Sequence, residues 1–154
     1  MTYSFNRTVP SEWVDYNGHM NDAEYNHAFS LATDAFIDYI GLSEEARKKW
    51  NYTIFTLETH TCYLQEMKEG EEFEVTPQLL DYDSKRIHLF LKMKNKQGET
   101  TATLEELLMG IDQKQGRGAP FPQEVADTVT DFYKTQANLE IPKQAGRTIG
   151  IRRK

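Results

Sequence analysis

Cysteine is almost absent from this chain of 154 residues: Cys62 stands alone, so no internal disulfide can hold the fold. That usage suits a reducing compartment. The opening Met-Thr-Tyr-Ser-Phe-Asn-Arg has no apolar leader core, and together they set a cytoplasmic expectation. Long apolar runs are missing too; none approaches the roughly 18 residues needed to cross a bilayer, so no membrane contact is expected. Positive charge is short. Lys and Arg number 18 against 24 Asp and Glu, and the net −6 repels a polyanion, which excludes broad nucleic-acid binding. His19, His27, His60 and His88 fall in no zinc-ligand spacing, and no glycine-rich phosphate cradle occurs. Neither a metal nor a resident cofactor is expected.

What remains is an ordinary globular composition, 38% hydrophobic and 27% charged, sized for one domain with a real core. The charge is uneven. Lys143, Arg147, Arg152, Arg153 and Lys154 close the chain with no acid among them, which leaves residues 1–142 at −11. The organisation expected is a single domain over 1–141 and a basic tail over 142–154. Such a tail is by default a solvated, disordered end; the sharper reading is a basic arm that grips a phosphate-bearing ligand or a neighbouring subunit.

Periodicity orders the elements. A strand from Tyr3 to Val9 is stopped by Pro10, which cannot donate to a ladder. A polar loop follows. Asn21 with Glu24 three residues on resembles a capping box, opening a helix from about Asp22 to Ile40. Phe29, Ala32, Phe36, Ile37 and Ile40 mark one face of it, and Gly41 is its stop signal. A short helix over Ser43 to Lys49 precedes four strands: Tyr52 to Gln65, about Glu72 to Asp81, Arg86 to Met93, and Thr100 to Ile111. Turn residues between the strands imply an antiparallel meander, and Gln123 to Lys134 reads as a last helix. The class is α+β: one long helix lying on one face of a curved antiparallel sheet of about five strands.

The most reactive stretch is Asp15-Tyr16-Asn17-Gly18-His19-Met20-Asn21, placed just before the long helix. A helix start offers unpaired N–H groups and a partial positive charge, so a polarised carbonyl is favoured there. Acyl chemistry follows. Asp15 is the candidate nucleophile or general base, Gly18 lets backbone N–H groups approach an oxyanion, and His19 supplies a proton near neutrality. Asn17 and Asn21 orient water or the carboxylate; their bland reading is turn and cap chemistry. Glu58 and His60 share a strand parity with Cys62 and Leu64. The expectation is that this face turns inward and carries both groups toward the site; the alternative is an outward polar side with Phe55, Leu57 and Tyr63 inward. Cys62 is read as a small buried residue, and His27 as facing the polar side of the helix.

These residues carry a resemblance. Asp15-Tyr16-Asn17-Gly18 looks like the Asp-x-x-Gly element of the 4-hydroxybenzoyl-CoA thioesterase family, although that branch often has an aliphatic residue where this chain has His19. Asp15-x-Asn17-x-His19-x-Asn21 is similar to the motif of fatty acyl-carrier-protein thioesterases. Trp13 to Met20, followed by Glu58-Thr59-His60, most resembles the betainyl-CoA thioesterases of carnitine and betaine breakdown. From about Val9 to Asp112 the resemblance implies a hotdog fold and hydrolysis of a short or polar acyl-CoA, with a catalytic Asp15. It also implies a homodimer or homotetramer whose site lies between subunits. Coenzyme A enters as part of the substrate. Trp13, Tyr16 and Tyr25 are candidate acyl-group contacts, since a trimethylammonium group wants aromatic faces. Lys85, Arg86, Lys114 and Arg117 are candidate phosphate contacts. The competing readings are a hotdog module that binds or dimerises without turnover, and a hydratase or dehydratase acting on an enoyl thioester.

Overall fold

The computed structural model describes residues 3–153. Its elements are β1 (Phe5–Thr8), α1 (Asp22–Tyr39), α2 (Glu44–Trp50), β2 (Tyr52–Tyr63), β3 (Glu72–Tyr82), β4 (Arg86–Asn95), β5 (Thr100–Asp112), β6 (Arg117–Gly118) and α3 (Gln123–Thr135). The sheet is antiparallel in the order β1-β3-β4-β5-β2, with the two-residue β6 added beside β5. This is the long helix on a curled five-stranded sheet that the sequence pattern implies. Among the described residues no helix is long and apolar enough to cross a membrane.

Alternation decides which face is covered. Leu89, Leu91 and Met93 of β4 and Leu104 and Leu108 of β5 are buried in one cluster with Phe29, Ala32 and Phe36 of α1. That helix of 18 residues is about 27 Å long, enough to lie across the inner face of the sheet. The capping box does not form. Asn21 caps α1 by accepting from Ala23 N at 3.0 Å, while Glu24 turns instead to His27 Nδ1 at 3.0 Å.

Among the described residues one carboxyl group is enclosed in this core. Glu106 of β5 is 4% exposed, and Thr33 Oγ1 of α1 donates to its carboxyl at 2.6 Å. Burial pushes the Glu106 carboxyl up to about 7, only partly countered by the Thr33 bond. An acid held protonated by the fold but ionised when unfolded binds more protons in the native state. Stability therefore falls as pH rises from the ordinary carboxylate range through about 7, by roughly 3 kcal/mol in all. Glu106→Gln keeps an acceptor for Thr33 and is expected to flatten this decline in melting temperature measured from pH 5 to 8. A wild-type decline that persists in the variant assigns the effect to another group.

The chain after α3 is not a free end. Leu79 N donates to Gln136 Oε1 at 2.6 Å, Gln78 Nε2 donates to Glu140 O at 3.0 Å, and Gly146 N donates to Glu105 Oε1 at 2.8 Å. Gln78, Phe90 and Glu105 form one cross-strand row on the outer face, so residues 136–146 cross the sheet from β3 to β5. Phe90 and Pro142 are buried there. The default reading of the basic end as a solvated coil is corrected up to Gly146. Its proximal part is attached by backbone and amide bonds that composition does not announce.

Candidate active site

Asp15 to Gly18 form a tight turn closed by Gly18 N donating to Asp15 O at 2.9 Å. Gly18 has φ of +78°, a left-handed conformation that a side chain would strain. The flanks zip together: Asp15 N donates to His19 O at 2.9 Å, and Val14 faces Met20 across a bridge. The hairpin is then fastened on both sides. Asn21 N donates to Trp13 O at 3.0 Å, and Met20 N donates to Met67 O at 2.7 Å. These bonds fix the backbone of the loop on both flanks.

Within it the Asp15 carboxylate is divided. Oδ1 accepts from Asn17 N at 2.8 Å and from His19 N at 3.2 Å, while among the described residues Oδ2 accepts no hydrogen bond. The side chain is half-buried and belongs to no ion pair among those residues. A carboxylate oriented by one oxygen and open at the other suits proton abstraction or attack. His19 Nε2 lies 3.4 Å from Glu66 Oε2, on the loop after β2. Sequence reasoning missed Glu66, because 47 positions separate it from His19 and only the bridge of His19 to Lys68 brings the loop alongside.

The structure thus gathers Asp15, Asn17, Gly18, His19 and Asn21 at the mouth of α1. It does not bring Glu58 and His60 there within one chain. Their shared parity holds, but the inward orientation is corrected. Glu58 pairs with Leu107 and His60 with Glu105, on the face opposite to Glu106 and the helix. There they line a cavity of about 870 Å3 with His88, Arg86 and Arg147, and His88 Nε2 meets Glu105 Oε2 at 2.7 Å. The cause is the long-range register with β5. A bulge at Leu57 moves Phe55 onto that same outer face, whereas Tyr63 does turn inward and bonds Asn26.

The proposed substrate contacts divide in the same way. Tyr16 is 98% exposed at the tip of the turn. Trp13 and Tyr25 are core residues rather than walls of an aromatic cage. The Trp13 ring packs against His27 and Phe73, and Tyr25 OH accepts from Met67 N at 3.1 Å and donates to Gln65 O at 3.3 Å. Tyr25 therefore holds the loop that carries Glu66. Burial pushes its hydroxyl up, which keeps it a neutral donor. Arg86 lies on the outer face and is engaged: its Nε donates to Asp83 Oδ2 at 2.7 Å and holds that carboxyl down at about 2. Among the described residues no group of three or more His, Cys, Asp or Glu could hold a metal ion.

A motif-bearing turn at the start of a helix cradled by a curled antiparallel sheet defines a hotdog thioesterase scaffold. Residues 9–129 match the Thioesterase-like superfamily, and the chain belongs to it. It is 39% identical over 149 residues to the betainyl-CoA thioesterase of Pseudomonas aeruginosa, covering 96% of this chain and 94% of that protein. Among solved structures it superimposes on a hypothetical protein from Staphylococcus aureus in complex with CoA, with TM-score 0.95, 40% identity and 99% and 96% of the two chains covered. A putative thioesterase from Pseudomonas putida gives TM-score 0.87 at 36% identity, covering 99% of each chain. The family resemblance read from the sequence stands.

Proposed function

We propose that this acyl-CoA thioesterase acts on betainyl-CoA, or on a thioester whose acyl group is equally small and cationic, as a homodimer joined through β2. The observation that carries the reading is the Asp15 carboxylate, oriented through Oδ1 and open at Oδ2 beside the start of α1. Placed there, the free oxygen acts on the thioester carbon directly or through a water. Ala23 N and Glu24 N are taken by Asn21, so the Asp22 N–H, which has no acceptor among the described residues, takes the developing oxyanion at the helix start, and His19 returns a proton to the departing thiolate. Net hydrolysis adds one water and yields the acid and free CoA.

The cationic acyl group is supported by the charge around the mouth. Asp22 and Glu24 occupy the first turn of α1, and Glu66 stands beside His19. The likeness to a betainyl-CoA thioesterase over nearly the whole chain supports the same choice. Pairing is supported by β2 itself, a strand of 12 residues hydrogen-bonded to β5 alone, with Phe55, Leu57 and Tyr63 exposed along it. Cytoplasmic residence remains in keeping with the lone Cys62.

Free thiol released from betainyl-, acetyl- and hexanoyl-CoA tests the substrate. The expected kcat/KM favours betainyl-CoA by about tenfold or more, the discrimination that roughly 1.4 kcal/mol of differential transition-state binding provides. Equal rates on all three remove the cationic preference, and no release from any removes hydrolysis.

A further inference from the structure

An acidic mouth suits a cationic acyl group but repels the phosphates of coenzyme A, so these need cations placed elsewhere. One surface cavity offers them. It has a volume of about 820 Å3 and lies between the end of α2, the turn after β5 and the approach to α3. Lys48, Lys49 and Lys114 line it with Trp50, against a single acid, Asp112. The Asp112 carboxylate serves its own turn, accepting from Lys114 N at 2.9 Å and Gln115 N at 3.4 Å. Lys48 reaches only the exposed Glu44, at 3.4 Å, and among the described residues Lys49 and Lys114 form no ion pair. Trp50 is half-buried, with Lys49 Nζ 5.4 Å from the centre of its ring. The cavity of about 870 Å3 on the outer face is the reverse, with the carboxylates of Glu58, Asp81, Asp83 and Glu105 against two arginines.

We propose that this lysine cleft binds the nucleotide end of the CoA thioester and serves the Asp15 site of the paired copy. The phosphates lie on Lys48, Lys49 and Lys114 and the purine packs against Trp50. The inference rests on the thioesterase reading of Asp15 and on β2 pairing. Its geometry follows from β2, which runs from Tyr52 in the wall of the cleft to Tyr63, whose hydroxyl donates to Asp22 O at 3.2 Å. At about 3.3 Å per residue the strand separates cleft and catalytic mouth by roughly 36 Å, beyond the reach of one pantetheine arm. Antiparallel pairing of two β2 edges sets the start of one strand beside the end of the other. The cleft of one copy then borders the mouth of its neighbour.

The test replaces Lys48→Glu and Lys114→Glu together, both exposed surface positions. Hydrolysis is measured on betainyl-CoA and on the betainyl thioester of N-acetylcysteamine, which has no nucleotide. The expected result is a fall of about tenfold or more in the ratio of kcat/KM for the CoA substrate to that for the short one. An unchanged ratio overturns the cleft as a nucleotide site. A parent chain that hydrolyses neither substrate overturns the thioesterase reading; binding of adenosine 3′,5′-bisphosphate, strong in the parent and lost in the double variant, then decides the cleft separately. Mixed dimers test the sharing. Combining an Asp15→Asn chain with the double-lysine variant rebuilds one complete site if cleft and carboxylate come from different copies, and low-KM activity returns. If mixing restores none, the cleft does not serve the neighbouring copy.

Discussion

Replacing Asp15 by Asn is expected to lower kcat by about a hundredfold or more while leaving the melting temperature unchanged. The two halves of this result come from the two oxygens. Asn retains Oδ1 as acceptor for Asn17 N and His19 N, at 2.8 and 3.2 Å in the parent, so the turn keeps its bonds. What it removes is the charge and basicity at Oδ2, where the chemistry is placed. Initial rates of thiol release and a thermal melt, taken on the same preparation, separate the effects. A kcat within about twofold of the parent removes Asp15 from the mechanism. A large fall in melting temperature marks it as a turn residue whose loss distorts the loop.

Gly110→Ala is the second large expected effect, on stability rather than rate. A Cβ built on Gly110 would stand 1.6 Å from Tyr52 Oη and 2.5 Å from Cζ, with Ala119 O, the acceptor of that hydroxyl, at 3.2 Å. The Tyr52 ring therefore fills the space a methyl group needs. Its hydroxyl donates to Ala119 O at 2.8 Å, fastening the start of β2 to the segment beyond β6. Alanine expels the ring, breaks that bond and opens packing against Phe121. The combined loss is about 3 kcal/mol, from overpacking and a displaced hydrogen bond together. Chemical denaturation measures it as a lower midpoint with an unchanged slope. A stability within about 0.5 kcal/mol of the parent would mean that β2 and β5 separate at little cost. Because Tyr52 also walls the lysine cleft, the surviving folded fraction is expected to show a raised KM for the CoA substrate.

The fold was legible because its signals are local and periodic. Ile87, Leu89, Leu91 and Met93 alternate without a break, and all four are buried in the structure. The start of α1 was legible through Asn21, and the turn from Asp15 to Gly18 through one contiguous motif. The orientation of Glu58 and His60 was not, since it depends on which β5 residues lie opposite them and on the bulge at Leu57. Neither is encoded within β2 alone. Glu106 left a trace that could have been followed. Leu104 and Leu108 are both apolar, and a residue of the same parity between them must share their buried face. Glu66 left none, because its place beside His19 is made by two loops, distant in sequence, that pair side by side.

The attached segment beyond α3 sets a limit on growth. Residues 136–146 run over the outer surface, fastened at β3 through Gln136 and Gln78 and at β5 through Glu105. Two such sheets cannot stack flat against one another unless this ribbon peels away, since it stands between them like a spacer. A contact that joined two such outer faces would first have to displace this ribbon and the bonds that hold it.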